Sequence, residues 1–320
     1  MRALICGVGG QDGAYLSKLL LDKGYEVIGA SRDAMAASFG NLKSLGILDC
    51  VTTASMAITD FRSVLQTLGK YLPDEIYNLA GQSSVGLSFE QPVETMESIA
   101  IGTLNLLEAI RFYGKPIRFY SAGSSECFGD TGADPASEET PFSPRSPYAV
   151  AKVTAYNLVA NYREAYSLYA CTGILFNHES PLRPERFVTQ KIVRTAARIA
   201  SGSSEKLEMG NINIQRDWGW APEYVEAMWR MLQLEHPQDF VIATGRTVSL
   251  EFFVEHTFQF FGLNYKDYLV VNKNFYRPTD IHTGSANPSK AHDLLDWRAQ
   301  VKIETVIENM CIAARNTPVA

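Results

Sequence analysis

The sequence has few cysteines, and they are not arranged to bind a metal or to form a disulfide framework. Five cysteines are scattered along 320 residues, without a CxxC pair or a Cys/His cluster. An odd, scattered set of thiols does not indicate a disulfide-stapled domain or a structural zinc site. It is typical of a protein from a reducing compartment, so we expect a cytoplasmic location and no metal.

Long apolar runs and an excess of positive charge are also missing. The apolar stretch at the N-terminus ends at Gly7, which is too short for the ~7–15-residue core of a signal peptide. No charge-free stretch reaches the ~18–20 residues of a membrane span. The formal net charge is −6, whereas a nucleic-acid-binding protein needs a basic face. We therefore expect neither a membrane nor a nucleic acid as partner.

What the sequence does contain is a regular alternation of short apolar strands and amphipathic helices. Strands that alternate with helices predict a mostly parallel sheet covered on both faces. The fold class predicted is therefore α/β, with a Rossmann-type, doubly wound parallel sheet. The predicted strands are residues 2–6, 26–30, 75–79, 117–121 and 168–176, and the predicted helices are 15–23, 61–71, 96–112 and 146–166.

The alternation loosens after about residue 176, where prolines divide the chain into shorter pieces. This change predicts a second, smaller α/β lobe that caps the carboxyl edge of the sheet. We expect a dinucleotide-binding Rossmann domain over residues 1–176 and a substrate-binding lobe over residues 177–320. The chain is expected to cross back to the first domain around residues 212–245.

A glycine-rich turn, GVGGQDG at 7–13, follows the first predicted strand and precedes the first helix. Its glycines let the backbone turn sharply and approach a pyrophosphate, while the amides at the start of the helix face the anion. Because the turn lies directly between a strand and a helix, it predicts a dinucleotide site. The residues of this site would be Gly7, Gly10, Gln11, Asp12 and Gly13.

The end of the second strand bears on which dinucleotide is bound. An acidic residue there holds the ribose of NAD, whereas an arginine accommodates the 2′-phosphate of NADP. In this sequence Ser31 and Arg32 come first, and Asp33 follows one position later. NADP is therefore preferred over NAD, with Arg32 as its phosphate ligand.

Tyr148 and Lys152 form a YxxxK pair near the start of a predicted helix, which begins with Ser146 as its cap and Pro147 at its first position. The i, i+4 spacing places both side chains on one face. An ammonium beside a phenol stabilises the phenolate and would lower the tyrosine's pKa from about 10. Such a tyrosine can take a hydroxyl proton as hydride leaves the same carbon.

A serine-rich turn, SAGSSE at 121–126, lies at the carboxyl end of a predicted strand, where ligands bind in open α/β sheets. A serine there can orient a substrate oxygen together with Tyr148. Glu126 is informative because a simple dehydrogenase or epimerase needs no carboxylate at this place. A dehydratase needs one, to remove the proton next to a ketone and to help a hydroxyl depart. Glu126 could equally cap the turn or pair with a surface cation.

Segments over nearly the whole chain resemble the GDP-mannose 4,6-dehydratases of the extended short-chain dehydrogenase/reductase family. The FNHESP and RDWG segments are the most specific among them. The matching segments are GVGGQDG (7–13), EIYNLAGQSSVGLSFE (75–90), FYSAGSSECFG (119–129), PRSPYAVAK (144–152), ILFNHESP (174–181), RDWGWAPEYVEAMW (216–229), DFVIATG (239–245) and YRPTD (276–280).

The resemblance implies an enzyme that converts GDP-mannose into GDP-4-keto-6-deoxymannose and water with bound NADP. C4 is oxidised, water is eliminated across C5 and C6, and the hydride returns to C6. In this family pattern Ser124 replaces a threonine, Glu126 is the acid/base, Tyr148 the general base and Lys152 its partner. Tyr148 and Lys152 are also expected to bind the cofactor. The resemblance also implies a homodimer or homotetramer, paired through helices 96–112 and 146–166. The substrate contacts it implies are Ser84, Asn177, Lys191, Arg216, Arg277 and Asp280.

Other functions of the same fold stay open at this point. The chain could be a nucleotide-sugar epimerase or reductase, or a dehydratase of another GDP-sugar such as a heptose. It could also be a nucleotide-binding protein without catalytic activity. Glu126 argues against an epimerase or reductase, and a pure binder would not need Ser124, Glu126, Tyr148 and Lys152 together. Nothing local in the sequence identifies the sugar.

Overall fold

A computed structural model describes residues 1–276 and 278–316 of the chain. The predicted Arg277 contact therefore lies outside the described residues. The strands are β1 (Arg2–Cys6), β2 (Glu26–Ser31), β3 (Thr52–Ser55), β4 (Glu75–Asn78), β5 (Arg118–Ala122), β6 (Ala170–Leu175), β7 (Asn177–Glu179), β8 (Leu207–Met209), β9 (Gln215–Trp220), β10 (Phe240–Ile242), β11 (Thr247–Ser249), β12 (Leu269–Val271) and β13 (Thr283–Gly284). The helices are α1 (Gln11–Asp22), α2 (Gly40–Ser44), α3 (Phe61–Tyr71), α4 (Val85–Glu90), α5 (Pro92–Met96), α6 (Gly102–Tyr113), α7 (Pro147–Tyr166), α8 (Val188–Ala200), α9 (Ala221–Met231), α10 (Leu250–Phe260), α11 (Ser289–Leu295) and α12 (Ile303–Arg315).

Seven strands form one sheet in the order β10-β6-β5-β4-β1-β2-β3, and all of its neighbouring pairs are parallel. The chain runs from β1 outward to β3 on one side and then resumes with β4 on the other side of β1. A crevice for ligands forms at such a reversal, beyond the carboxyl ends of the strands. The predicted α/β fold with a doubly wound parallel sheet is confirmed.

The sheet is buried on both faces because helices pack against each of them. All six residues of β6 are buried, as expected for a strand covered on both sides. One apolar cluster packs α1 and α9 against the sheet and includes the fully buried Leu20 and Met228. The other packs α3 and α6, with Leu68 and Leu106.

Of two predicted helices, 146–166 begins where the sequence indicated, whereas 96–112 is not one continuous α-helix. Helix α7 starts where the sequence predicted, since Ser146 Oγ accepts a hydrogen bond from Ala149 N at 3.1 Å. The predicted single helix over 96–112 is instead α5, a π-helical turn at Glu97–Ile101, and α6. This turn packs on the loop after β4, where Ser98 Oγ accepts from Gln82 N at 3.1 Å. The extra residue of the turn fits the helix to that loop.

The second part of the chain is organised around β9. This strand pairs with β11 in the antiparallel sense and with β7 and β13 in the parallel sense. A third apolar cluster, including Ile192, Phe253 and Val306, packs α8, α10 and α12 together. β10 follows β9 in sequence, yet it pairs with β6 in the large sheet. Among the described residues, no helix is long and apolar enough to cross a membrane.

Candidate active site

A cleft of about 510 Å³ lies at the carboxyl edge of the large sheet, bordered by β7, β8 and β9. It brings together residues that are far apart in the sequence. The predicted site residues that line it are Asp12, Ser84, Ser124, Glu126, Tyr148, Lys152, Asn177, Lys191, Arg216 and Asp280. The described members of the predicted catalytic and substrate-binding sets therefore share one cavity.

The glycine-rich turn forms the start of α1 beside this cleft. Gly7 has a φ of +82°, which favours glycine. A Cβ at Gly13 would lie 2.5 Å from Gly7 O, so only glycine lets the helix begin this close to the turn. Gly10 precedes the helix and has no side chain to cap it. The first amides of α1 therefore suit an anion such as a diphosphate.

The side chains of Gln11 and Asp12 bind protein groups of the segment that contains β7. Gln11 Oε1 accepts from Ser180 Oγ at 2.8 Å, and its Nε2 donates to His178 O at 3.2 Å. Asp12 Oδ2 lies 3.0 Å from His178 Nε2. The prediction of Gln11 and Asp12 as cofactor ligands can thus apply to their backbone amides, because these side chains have protein partners.

His178 is buried and carries a proton on each ring nitrogen. Its Nδ1 lies 2.7 Å from Phe176 O, and its Nε2 faces the Asp12 carboxylate. Both partners only accept, so both nitrogens donate. Burial opposes the charge on each side chain, but the attraction between them outweighs it. The pKa of Asp12 falls to about 2, and the pKa of His178 rises above its ordinary value.

Helix α7 carries Tyr148 and Lys152 into the cleft. Lys152 Nζ donates to Ala122 O at 2.7 Å and lies 5.7 Å from the centre of the Tyr148 ring. Burial lowers the pKa of Lys152 to about 8. Burial also raises the pKa of Tyr148, although a hydrogen bond with Ser124 and the charge of Arg183 oppose this rise. The predicted fall of the Tyr148 pKa from about 10 is therefore wrong for this structure, because burial outweighs the effects that oppose it.

Ser124 and Glu126 lie on the turn after β5. Ser124 Oγ accepts from Glu126 N at 3.3 Å and begins a short 3₁₀ helix, Ser125–Phe128. The turn lies close against β6, because a Cβ at Gly123 would lie 3.0 Å from Gly173 O. The Ser124 side chain forms a hydrogen bond with Tyr148, and Glu126 also lines the cleft.

The predicted substrate residues are spread over several elements of the cleft. Ser84 caps α4, with its Oγ accepting from Leu87 N at 3.3 Å. Asn177 begins β7, and Lys191 Nζ on α8 donates to Glu208 O at 2.7 Å. Arg216 on β9 is 5% exposed and donates from its guanidinium to Gln215 O at 2.9 Å.

Sequence reasoning did not single out several charged residues of the cleft, among them His178 and Arg183. Arg183 Nε lies 3.4 Å from Glu179 Oε2, and its guanidinium lies 3.9 Å from the centre of the Phe187 ring. His178 falls within the FNHESP segment and Arg183 two residues after it, so the specificity of that segment was the available signal. Over residues 1–276 and 278–316, no group of three or more His, Cys, Asp or Glu side chains could hold a metal.

A doubly wound sheet with a YxxxK helix and a serine on the neighbouring strand end defines an extended short-chain dehydrogenase/reductase. A family model described as GDP-mannose 4,6 dehydratase matches residues 4–310. GDP-mannose 4,6 dehydratase 1 of Arabidopsis thaliana is 46% identical over 318 residues, covering 96% of this chain and 88% of that protein. The chain therefore belongs to the GDP-mannose 4,6-dehydratase family.

Solved structures of more distant proteins share the fold. UDP-glucose 4-epimerase of Thermus thermophilus, in complex with NAD, superimposes with a TM-score of 0.87 at 23% identity, covering 99% of this chain and 100% of that one. RMD from Pseudomonas aeruginosa, complexed with NADPH, gives a TM-score of 0.81 at 23% identity and covers 98% of each chain. At this identity the likeness concerns the fold alone.

Proposed function

We propose that the chain converts GDP-mannose into GDP-4-keto-6-deoxymannose and water. The observation that carries this proposal is the single cleft that contains Ser124, Glu126, Tyr148 and Lys152. A hydroxyl, a phenol and an ammonium suit the oxidation of an alcohol, and a carboxylate beside them suits an elimination. Membership of the family supports the same reaction and GDP-mannose as its substrate.

The glycine-rich turn is the proposed dinucleotide site. A nicotinamide cofactor bound there would accept the hydride from C4 and later return it to C6. The close packing of Gly7 and Gly13 and the uncapped start of α1 support binding of its diphosphate by backbone amides.

NADP is the proposed form of the cofactor, in preference to NAD. Asp33 Oδ1 accepts from Met35 N at 2.9 Å and from Ala36 N at 3.1 Å, so this carboxylate stabilises its own loop. The neighbouring Arg32 is exposed at the end of β2. An exposed arginine at this place favours a 2′-phosphate.

Oxidation at C4 is assigned to Ser124, Tyr148 and Lys152. Ser124 and Tyr148 bind the C4 hydroxyl, and Tyr148 takes its proton. Because burial raises the pKa of Tyr148, the phenol needs positive charge nearby to act as a base. Lys152 supplies that charge 5.7 Å from the ring centre, and the charge of Arg183, which also lines the cleft, adds to it.

Elimination is assigned to Glu126. The C4 ketone acidifies the C5 proton, and Glu126 removes it. The C5–C6 double bond forms as the C6 hydroxyl leaves as water with a proton from Glu126, so the carboxylate is restored. When C6 regains the hydride, Tyr148 returns to C5 the proton that it took from the C4 hydroxyl. The sugar loses one water, and no net oxidation occurs.

We further propose that two copies pair through α6 and α7. Large apolar side chains of these two helices are exposed, and a second copy would cover them. They are Phe112 on α6 and Val150 and Tyr166 on α7. Light scattering on the purified protein tests the pairing, and Phe112→Glu should weaken it.

The division of the chain into a dinucleotide-binding domain (1–176) and a nucleotide-sugar lobe (177–320) is also proposed. The pairing of β10 with β6 supports a return of the chain to the first domain within 212–245.

The cytoplasm is the proposed location, supported by the free thiols of all five cysteines.

The test incubates the purified protein with GDP-mannose and a catalytic trace of NADP, and follows the nucleotide sugar by mass spectrometry. We expect the loss of one water without accumulation of NADPH. Glu126→Gln should abolish the loss, because a carboxamide cannot take the C5 proton. Glu235→Gln, a change at a side chain that is 90% exposed, should leave the activity unchanged. An unchanged mass with the wild-type protein would overturn the proposal.

A further inference from the structure

One wall of the cleft is built from β8, Lys191 and the turn around Phe275, and we refer to it as the β8 wall. Lys191 Nζ donates to Glu208 O at 2.7 Å and lies 4.6 Å from the centre of the Phe275 ring. A Cβ at Gly210 would lie 2.8 Å from Phe275 O. The β8 wall is therefore a compact unit in which Phe275 and Glu208 have fixed neighbours.

The β8 wall contributes an aromatic residue and an acidic residue to the lining of the cleft. Phe275 is 52% exposed, and both Phe275 and Glu208 line the cavity. A planar base stacks favourably on such a ring. The Glu208 carboxylate can only accept hydrogen bonds, and its charge repels phosphate. This wall therefore suits the end of a nucleotide that offers N–H donors, whereas the arginines of the cleft suit its diphosphate.

We propose that Glu208 determines specificity by selecting guanine, with its carboxylate accepting from N1–H and the N2 amino group of the base. The inference rests on the proposed function, in which the substrate is a GDP-sugar. Guanine offers these two donors side by side. Uracil and thymine offer one N–H between two carbonyls, which a carboxylate repels. Asn272 Nδ2 donates to Glu208 Oε2 at 3.4 Å and helps to orient the carboxylate.

The test compares binding of GDP with binding of inosine diphosphate, which lacks the N2 amino group, by calorimetry. The wild-type protein should prefer GDP roughly tenfold or more, as expected for a hydrogen bond to a charged group. In Glu208→Ala the affinity for GDP should fall by at least the same factor, because both hydrogen bonds are lost, and the preference should shrink to about twofold or less. Glu235→Ala, at an exposed carboxylate, should retain the wild-type preference.

A Glu208→Ala variant that keeps the wild-type preference for GDP would overturn the assignment. If Asp280→Ala loses the preference in the same experiment, the selecting carboxylate is Asp280, which lines the same cleft.

This binding measurement requires no turnover, so it separates two possible failures. A wild-type protein that dehydrates GDP-mannose, together with an unchanged preference in Glu208→Ala, overturns only the role of Glu208. A protein that selects GDP through Glu208 but removes no water from GDP-mannose overturns only the proposed reaction.

Discussion

Asp12 and His178 form an ion pair at the side of the cleft, with Asp12 Oδ2 3.0 Å from His178 Nε2. The pair joins the first turn of α1 to β7, across 166 positions of sequence. His178 is 6% exposed and stacks on the Tyr224 ring at 4.5 Å between ring centres. The start of the proposed dinucleotide site is thus held by a contact with the FNHESP segment.

His178→Gln should lower the free energy of unfolding by about 2–3 kcal/mol near pH 5.5, because it leaves the part-buried Asp12 carboxylate without its cation. The stabilisation from Asp12 is present above its ordinary pKa of 3.8 and is lost as pH falls towards about 2. That from His178 is complete below its ordinary pKa of 6.5 and is lost as pH rises through the raised value. The effect should therefore be largest between about pH 4 and 6.5, as measured by urea denaturation.

The control for this prediction is the double variant Asp12→Asn, His178→Gln. Removing both charges should cost less than the sum of the two single changes, since neither partner is left as an isolated ion. A His178→Gln variant whose loss of stability is as large at pH 9 as at pH 5.5 would contradict a charged histidine.

Arg32→Ala should shift the cofactor preference from NADP towards NAD. Hydrogen bonds to a charged group are worth about 1.5–3 kcal/mol, so the affinity for NADPH should fall roughly ten- to hundredfold while that for NADH changes little. Fluorescence titration of both cofactors measures this. Asp33→Asn keeps the acceptor for Met35 N and Ala36 N and should leave the preference unchanged. Equal losses for both cofactors in Arg32→Ala would assign Arg32 no role in phosphate recognition.

Ser124→Ala should slow the reaction without unfolding the protein. The change removes the Oγ that accepts from Glu126 N at 3.3 Å and that shares the substrate hydroxyl in the proposed mechanism. We expect kcat to fall roughly a hundredfold, as for other positioned donors at a reacting oxygen. Ser124→Thr keeps the hydroxyl and should retain most of the rate of water loss. A Ser124→Ala variant with wild-type kcat would exclude Ser124 from the oxidation step.

Features set by neighbouring residues could be predicted from the sequence. Ser146 and Pro147 mark the start of α7 by local capping rules, and the structure starts the helix there. β3 escaped prediction because its sequence, TTAS, has only one buried residue and so lacks an apolar pattern. The Asp12–His178 pair could not be predicted either, because the topology of the sheet brings the two residues together and no local sequence pattern indicates it.

For Tyr148 and Lys152, the sequence predicted the relative positions of the two side chains but not their pKa values. Their i, i+4 spacing places them on one face, as the sequence predicted. The pKa values of the two side chains depend mainly on burial, which raises that of Tyr148 and lowers that of Lys152. Desolvation depends on the assembled cleft and cannot be read from the spacing of two residues. The spacing therefore gave the wrong direction for the pKa shift of Tyr148.

Lys152→Met should abolish turnover and yet stabilise the fold. Burial lowers the pKa of Lys152 from 10.5 to about 8, so between these pH values the unfolded chain binds more protons and stability rises with pH. The charged lysine therefore costs stability near pH 7, and methionine should recover about 1–3 kcal/mol there. Thermal unfolding should show a gain in Tm at pH 7 that shrinks at pH 10, while Lys152→Arg, which stays charged, should show none. A methionine variant less stable than wild type at pH 7 would mean that the bond to Ala122 O outweighs desolvation.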